Sequence, residues 1–146
     1  MPGLEDLYRE IILDHYKNPR NRGTLPPPAV RSEGHNPLCG DEIEVFLQVD
    51  DGVVSDVRIG GQGCSISQSS ASMMSAAVKG KKIDDVRALV QRFRHMMSVE
   101  EDGEPDTSVS LGDLEALQGV VKFPVRIKCA VLAWNTLTDA LDSATA

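Results

Sequence analysis

Cys39-Gly40-Asp41 is where the chemistry of this sequence concentrates. In extended backbone, residues two apart point to the same side, so a thiolate and a carboxylate there can share one cation. Cys64 and Cys129 are the remaining cysteines, three in all. An odd number without a CxxC pair fits free thiols or metal ligands better than a disulfide framework. Cys39, Asp41, Cys64 and Cys129 make a four-donor set suited to zinc or to a thiolate-rich iron site. The plain alternative is three buried, unrelated cysteines and a solvated turn aspartate.

Other residues near these positions have weaker cases. Gly63-Cys64 precedes a predicted helix, whose first N–H groups favour a thiolate, and the flanking glycines leave access to it. Lys128 adjoins Cys129 and would tune the site or pair with Asp41, although a solvated lysine is the commoner state. His35 lies close enough to Cys39 to ligate, against the commoner backbone-bonded loop histidine. His15 is expected to pack or cap on a first helix, and His95 to lie at the surface. Met73-Met74 and Met96-Met97 read as core filler.

Several elements must position this set. Apolar spacing predicts a helix over 4–16, carried by Leu4, Leu7 and Ile11 and stopped by Asn18-Pro19. Residues 20–28 read as a loop with Pro26, Pro27 and Pro28 in a row; residues 29–36 are assigned no element. Strict alternation predicts strands over 42–49 and 53–59. Asp50-Asp51-Gly52 joins them as a three-residue hairpin loop. With that loop Val49 faces Val53, Val45 faces Val57 and Ile43 faces Ile59. The same register sets Asp41 opposite Gly61 and Cys39 opposite Gly63, which makes Cys64 a neighbour of Cys39. Helices follow over 65–79, rich in small residues, over 83–97 and over 111–117. A last helix runs over 124–142, opened by Pro124 and carrying Ile127, Val131, Trp134 and Leu141 on one stripe. Residues 100–110 are acidic and read as a surface loop.

Composition excludes other classes. The 146 residues are 41% hydrophobic and 25% charged, an ordinary globular mix for one domain over 1–146. A chain of this size buries about 68–70% of its unfolded surface. Net charge is −7 and aromatics are 4%, which argues against a nucleic-acid partner. No window approaches a membrane span, and the acidic start lacks an apolar signal core, so the expected location is the cytoplasm with no membrane partner.

The motifs together resemble the iron–sulfur cluster assembly scaffolds, the group of IscU, SufU and the NifU N-terminal domain. The resemblance is carried by Leu7-Tyr8-Arg9 and His15-Tyr16-Lys17-Asn18-Pro19-Arg20-Asn21-Arg22-Gly23, by Asn36-Pro37-Leu38-Cys39-Gly40-Asp41, by Gly61-Gln62-Gly63-Cys64-Ser65-Ile66-Ser67, and by Arg126-Ile127-Lys128-Cys129-Ala130. A long spacing from Cys64 to Cys129, with 100–117 as an insertion, and Lys128 where the IscU branch carries histidine, resemble the SufU branch. Lys122-Phe123-Pro124-Val125-Arg126 departs from the IscU chaperone-recognition motif. The resemblance implies an α+β fold, a small antiparallel sheet packed on one face by helices. It implies metal ligands at Cys39, Asp41, Cys64 and Cys129, and a cysteine desulfurase partner, SufS-like, that delivers persulfide sulfur. It further implies downstream cluster assembly or acceptor proteins, with bound zinc or a transient [2Fe–2S] cluster.

The expected function is therefore an assembly protein rather than an enzyme: a sulfur relay, a scaffold for a nascent cluster, or both, with Cys39 in its mobile loop as the sulfur acceptor. The competing class is a small zinc hydrolase, deaminase-like, using the same Cys and Asp site. It would need an open coordination position and a general acid or base, and the His-x-Glu…Pro-Cys-x-x-Cys signature is absent from the sequence. A metal-free thiol redox sensor is a third class.

Overall fold

The structure, a computed structural model, describes residues 2–37, 40–98 and 109–145, with side chains from Tyr8 onward. Leu38, Cys39 and most of the predicted acidic loop (99–108) lie outside the described residues, as do the side chains of Leu4 and Leu7. Among the described residues three strands form one antiparallel sheet in the order β1-β2-β3: β1 Val30–Asn36, β2 Asp41–Asp50 and β3 Val53–Gln62. Four described α-helices accompany it: α1 Pro2–Lys17, α2 Ser65–Val78, α3 Ile83–Met96 and α4 Pro124–Ala144. A 3-10 helix spans Gly112–Lys122. The expected α+β class, helices against an antiparallel sheet, is the one observed.

β1 carries no apolar alternation, which is why the sequence does not announce it. Its inward positions are Val30, Ser32, Gly34 and Asn36, and its outward positions Arg31, Glu33 and His35 are exposed. Gly34 is required by close approach, since a Cβ there would overlap Thr136 Oγ1 and stand 3.1 Å from Leu132 Cδ1 on α4.

The hairpin forms with a different register from the expected one. Asp51 and Gly52 adopt φ 53° and 75°, so two residues suffice for the turn, and Asp50 pairs with Val53 and Val49 with Val54. Ser55 is then an extra residue, a bulge between the Val49–Val54 and Gln48–Asp56 pairs. Beyond it Leu47 pairs with Val57, Val45 with Ile59 and Ile43 with Gly61. Val45 therefore faces Ile59, not Val57, and Ile43 faces Gly61, not Ile59. The shift is two residues, so the apolar face survives while Asp41 moves toward Cys64. The free edge of β3 is covered by the loop after α1, where Ile59 N donates to Asn21 O and Gly23 N to Ile59 O.

α2 and α4 lie on the inner face of the sheet. Ile43, Val45, Leu47, Val57 and Ile59 meet Met74, Trp134 and Leu137 there, all buried. Burial of such side chains, about 1.5–3 kcal/mol each, is the main favourable term. Met73 and Met97 are core as expected. Phe93 of α3 stacks on Trp134 at 4.4 Å between centroids, and Trp134 Nε1 donates to Ser70 Oγ, which donates to Ala130 O. The buried hydroxyl of Ser70 is thereby satisfied within the helix layer. The segment expected as a short helix over 111–117 is longer and tighter. Buried Leu111, Leu114, Leu117 and Val120 recur every third residue, the period of a 3-10 helix. None of the described helices is long and apolar enough to cross a membrane.

Candidate metal centre

Three of the four expected donors converge. One carboxylate oxygen of Asp41, Cys64 Sγ and Cys129 Sγ all lie within 4.8 Å of one another. Cys39 lies outside the described residues, but its neighbours Pro37 and Gly40 do not, and Gly40 N donates to Asn36 O at 2.8 Å across the short connection that holds it.

Each donor is held by a different element. Asp41 is the first residue of β2 and is 1% exposed. Its Oδ1 accepts from Cys64 N at 2.9 Å, and its Oδ2 is 3.9 Å from Cys64 Sγ. Cys64 caps α2 in extended backbone, and its sulfur accepts from Ser67 N at 3.4 Å. A cap residue normally offers an oxygen to that N–H; here sulfur takes the role. Gly63 must be glycine, because its φ is 157° and a Cβ would overlap Asp41 Oδ1 and stand 2.7 Å from Ser67 Oγ. Cys129 lies in the second turn of α4, fully buried, and its sulfur accepts from Asn36 Nδ2 at 3.7 Å.

The donor set fits a thiophilic divalent metal: two sulfurs and one carboxylate oxygen, largely withdrawn from water and already bridged by N–H donors. The other candidates stand apart. His35 points to the outer face of β1 with its side chain 60% exposed, near Glu33 and Glu42 at 3.9 and 4.0 Å. Lys128 is exposed and makes no ion pair with Asp41 among the described residues; it lines a groove of about 360 Å³ with His35, Asn36 and Pro37. His15 is buried, bonded to Ser72 Oγ at 2.8 Å and Asp113 Oδ2 at 3.1 Å, a packing role as expected. His95 is half-buried rather than fully at the surface. Asn36 is the residue that sequence reasoning missed. No local pattern marks it, because β1 carries no apolar alternation.

The chain belongs to the NifU-like N terminal domain family, which it matches over residues 7–130. It is similar to the zinc-dependent sulfurtransferase SufU of Bacillus subtilis (strain 168), at 50% identity over 134 residues, 92% of this chain and 88% of that one. It is also similar to the iron–sulfur cluster assembly scaffold protein IscU of Thermotoga maritima, at 38% identity over 135 residues and 92% of each chain. Among solved structures, a SUF-system scaffold protein described as putative in Fervidobacterium islandicum AW-1 superposes with a TM-score of 0.81 at 33% identity, over 90% of this chain and 94% of that one. These relatives are scaffold and sulfur-transfer proteins by name, and the hydrolase reading finds no support among them.

Proposed function

We propose that this chain is an iron–sulfur cluster assembly protein, a single domain over 1–146 working in the cytoplasm, that carries sulfur rather than turning over a substrate of its own. In this reading Cys39, Asp41, Cys64 and Cys129 hold zinc, or a [2Fe–2S] cluster in passing. The observation that carries it is the convergence of Asp41, Cys64 and Cys129 within 4.8 Å, in a chain half identical to a zinc-dependent sulfurtransferase. Bound zinc would polarise and shield the thiolates it touches. The partner is a cysteine desulfurase of the SufS kind, and the recipients are downstream cluster assembly or acceptor proteins.

The protein's own part is positional. Cys64 is fixed at a helix start and Cys129 within a helix, which leaves Cys39, between β1 and β2 in the sequence, as the expected acceptor. Cys39 thiolate attacks the outer sulfur of the partner's persulfide. The partner's S–S bond breaks, its cysteine leaves as thiolate, and Cys39 carries the persulfide. Asp41 keeps one hard oxygen in a soft set, so the site holds its metal less tightly than four thiolates would.

Mass spectrometry after incubation with desulfurase and cysteine tests this, alongside metal analysis of the purified chain. The expected result is about one zinc per chain, strongly reduced by Cys39→Ser, Cys64→Ser or Cys129→Ser, and a persulfide mapped to Cys39. Full metal occupancy in the triple Cys→Ser variant, or labelling confined to Cys64 or Cys129, overturns it.

A further inference from the structure

Every donor atom described at the centre accepts an N–H: Asp41 from Cys64 N, Cys64 Sγ from Ser67 N, and Cys129 Sγ from Asn36 Nδ2. The first two are backbone groups and belong to the helix cap. The third is a side chain reaching across 93 residues of sequence. Asn36 is 6% exposed and sits at the last position of β1, paired with Asp41 in the register. Its backbone oxygen closes the connection that contains Cys39 by accepting from Gly40 N. One residue thus touches the centre twice: its backbone frames the connection that carries one thiol, and its side chain bonds another.

An N–H donated to a metal-bound thiolate draws electron density from the sulfur and weakens it as a nucleophile. We infer that Asn36 is a positioning residue that quietens Cys129, leaving sulfur chemistry to the thiol of its own loop. The inference rests on the sulfur-carrier reading above and deepens it. Both described cysteines then carry N–H donors supplied from outside their own position, one by helix geometry and one by Asn36.

The magnitude follows from thiolate reactivity. Removing a donor that changes thiolate basicity about tenfold changes attack rate about threefold, at a Brønsted coefficient of about 0.4–0.5. The direction is upward, because in the zinc-bound form the sulfur is already deprotonated.

The experiment uses zinc-loaded wild-type, Asn36→Ala and Asn36→Asp proteins, alkylated with limiting iodoacetamide and mapped by mass spectrometry. Cys64 is the internal reference, since its donor is untouched. Labelling of Cys129 relative to Cys64 should rise about threefold in both variants. Asparagine and aspartate are the same size, so Asn36→Asp opens no hole over Cys129, and a rise seen only in Asn36→Ala means steric shielding and overturns the inference. In cobalt-loaded Asn36→Ala the sulfur-to-metal charge-transfer band should move to longer wavelength at unchanged stoichiometry, a signature that altered packing alone does not give. An unmoved band, or an unchanged labelling ratio in Asn36→Asp, overturns it as well. No step of the test uses a desulfurase, so failure here is distinct from failure of the carrier reading, which would show as absence of any persulfide.

Discussion

Gly63→Ala is the substitution through which the geometry of the centre can be challenged most directly. The added methyl would overlap Asp41 Oδ1 and stand 3.0 Å from Asp41 Cγ and 2.7 Å from Ser67 Oγ. None of these atoms is the tip of a flexible side chain in open space, because Asp41 is 1% exposed and Ser67 fully buried. The carboxylate must therefore rotate away, and its bond from Cys64 N at 2.9 Å is lost. Losing the partner that orients a ligating side chain costs roughly 10–100-fold in metal affinity, so a zinc-affinity loss of about that size is expected. Competition against a chromophoric chelator measures it. Gly119→Ala is the control, since no atom lies within 4 Å of its added methyl and its backbone is ordinary. Gly63→Ala binding zinc within about twofold of wild type, while Asp41→Ala does not, would refute the claim that Gly63 exists to seat Asp41.

Two further expectations concern the frame around the centre. Gly34→Ala should drive a methyl against Thr136 Oγ1 and Leu132, costing about 1–3 kcal/mol by overpacking; differential scanning fluorimetry should show a lower Tm, largely restored by adding Thr136→Ala, and no restoration would place the strain elsewhere. Arg20→Ala should raise the pKa of Asp14, which the Arg20 and Asn18 hydrogen bonds hold below the usual carboxylate value. A depressed carboxylate adds stability above its unfolded pKa and loses it as pH falls through the folded one, so the variant's acid-unfolding curve should be flatter in that window, and carboxyl NMR titration reads the shift directly.

The sequence carries the centre unevenly. Asp41 and Cys64 are brought together by a hairpin whose alternation is plain; the predicted face of β2 and that of β3 at Val57 and Ile59 are the observed ones, whereas next to the turn Val54 is buried in place of Val53. The register differs because turn length is set by backbone at Asp51 and Gly52, both left-handed, and because the bulge at Ser55 leaves no trace in hydrophobic alternation. α2 and α4 begin where Gly63-Cys64 and Pro124 signal them, and α3 begins at Ile83 as predicted. β1 is invisible because its inward face is Ser32, Gly34 and Asn36, chosen to fit under α4 rather than to exclude water. The 3-10 helix hides in a spacing of three that falls between the helix and strand periods. Cys129 enters the set by resemblance and by a guess about packing, since nothing local ties it to residues so far back in the chain. The Asn36 contact to its sulfur could not be read at all before the helix was in place.

The long reach of the bond between Asn36 and Cys129 has a consequence for synthesis on the ribosome. β1, β2, β3 and α2 all emerge before α4, so the hairpin and its Asp41–Cys64 bridge can form on a nascent chain. α4 supplies Trp134, Leu137 and Leu141 to the core and Cys129 to the centre. A copy that stops short of it leaves the β1 and β2 part of the inner face uncovered and the donor set incomplete. Quality control and chemical competence are thus gated by the same late event. Proteases that recognise exposed apolar surface would clear the copies that lack the last sulfur.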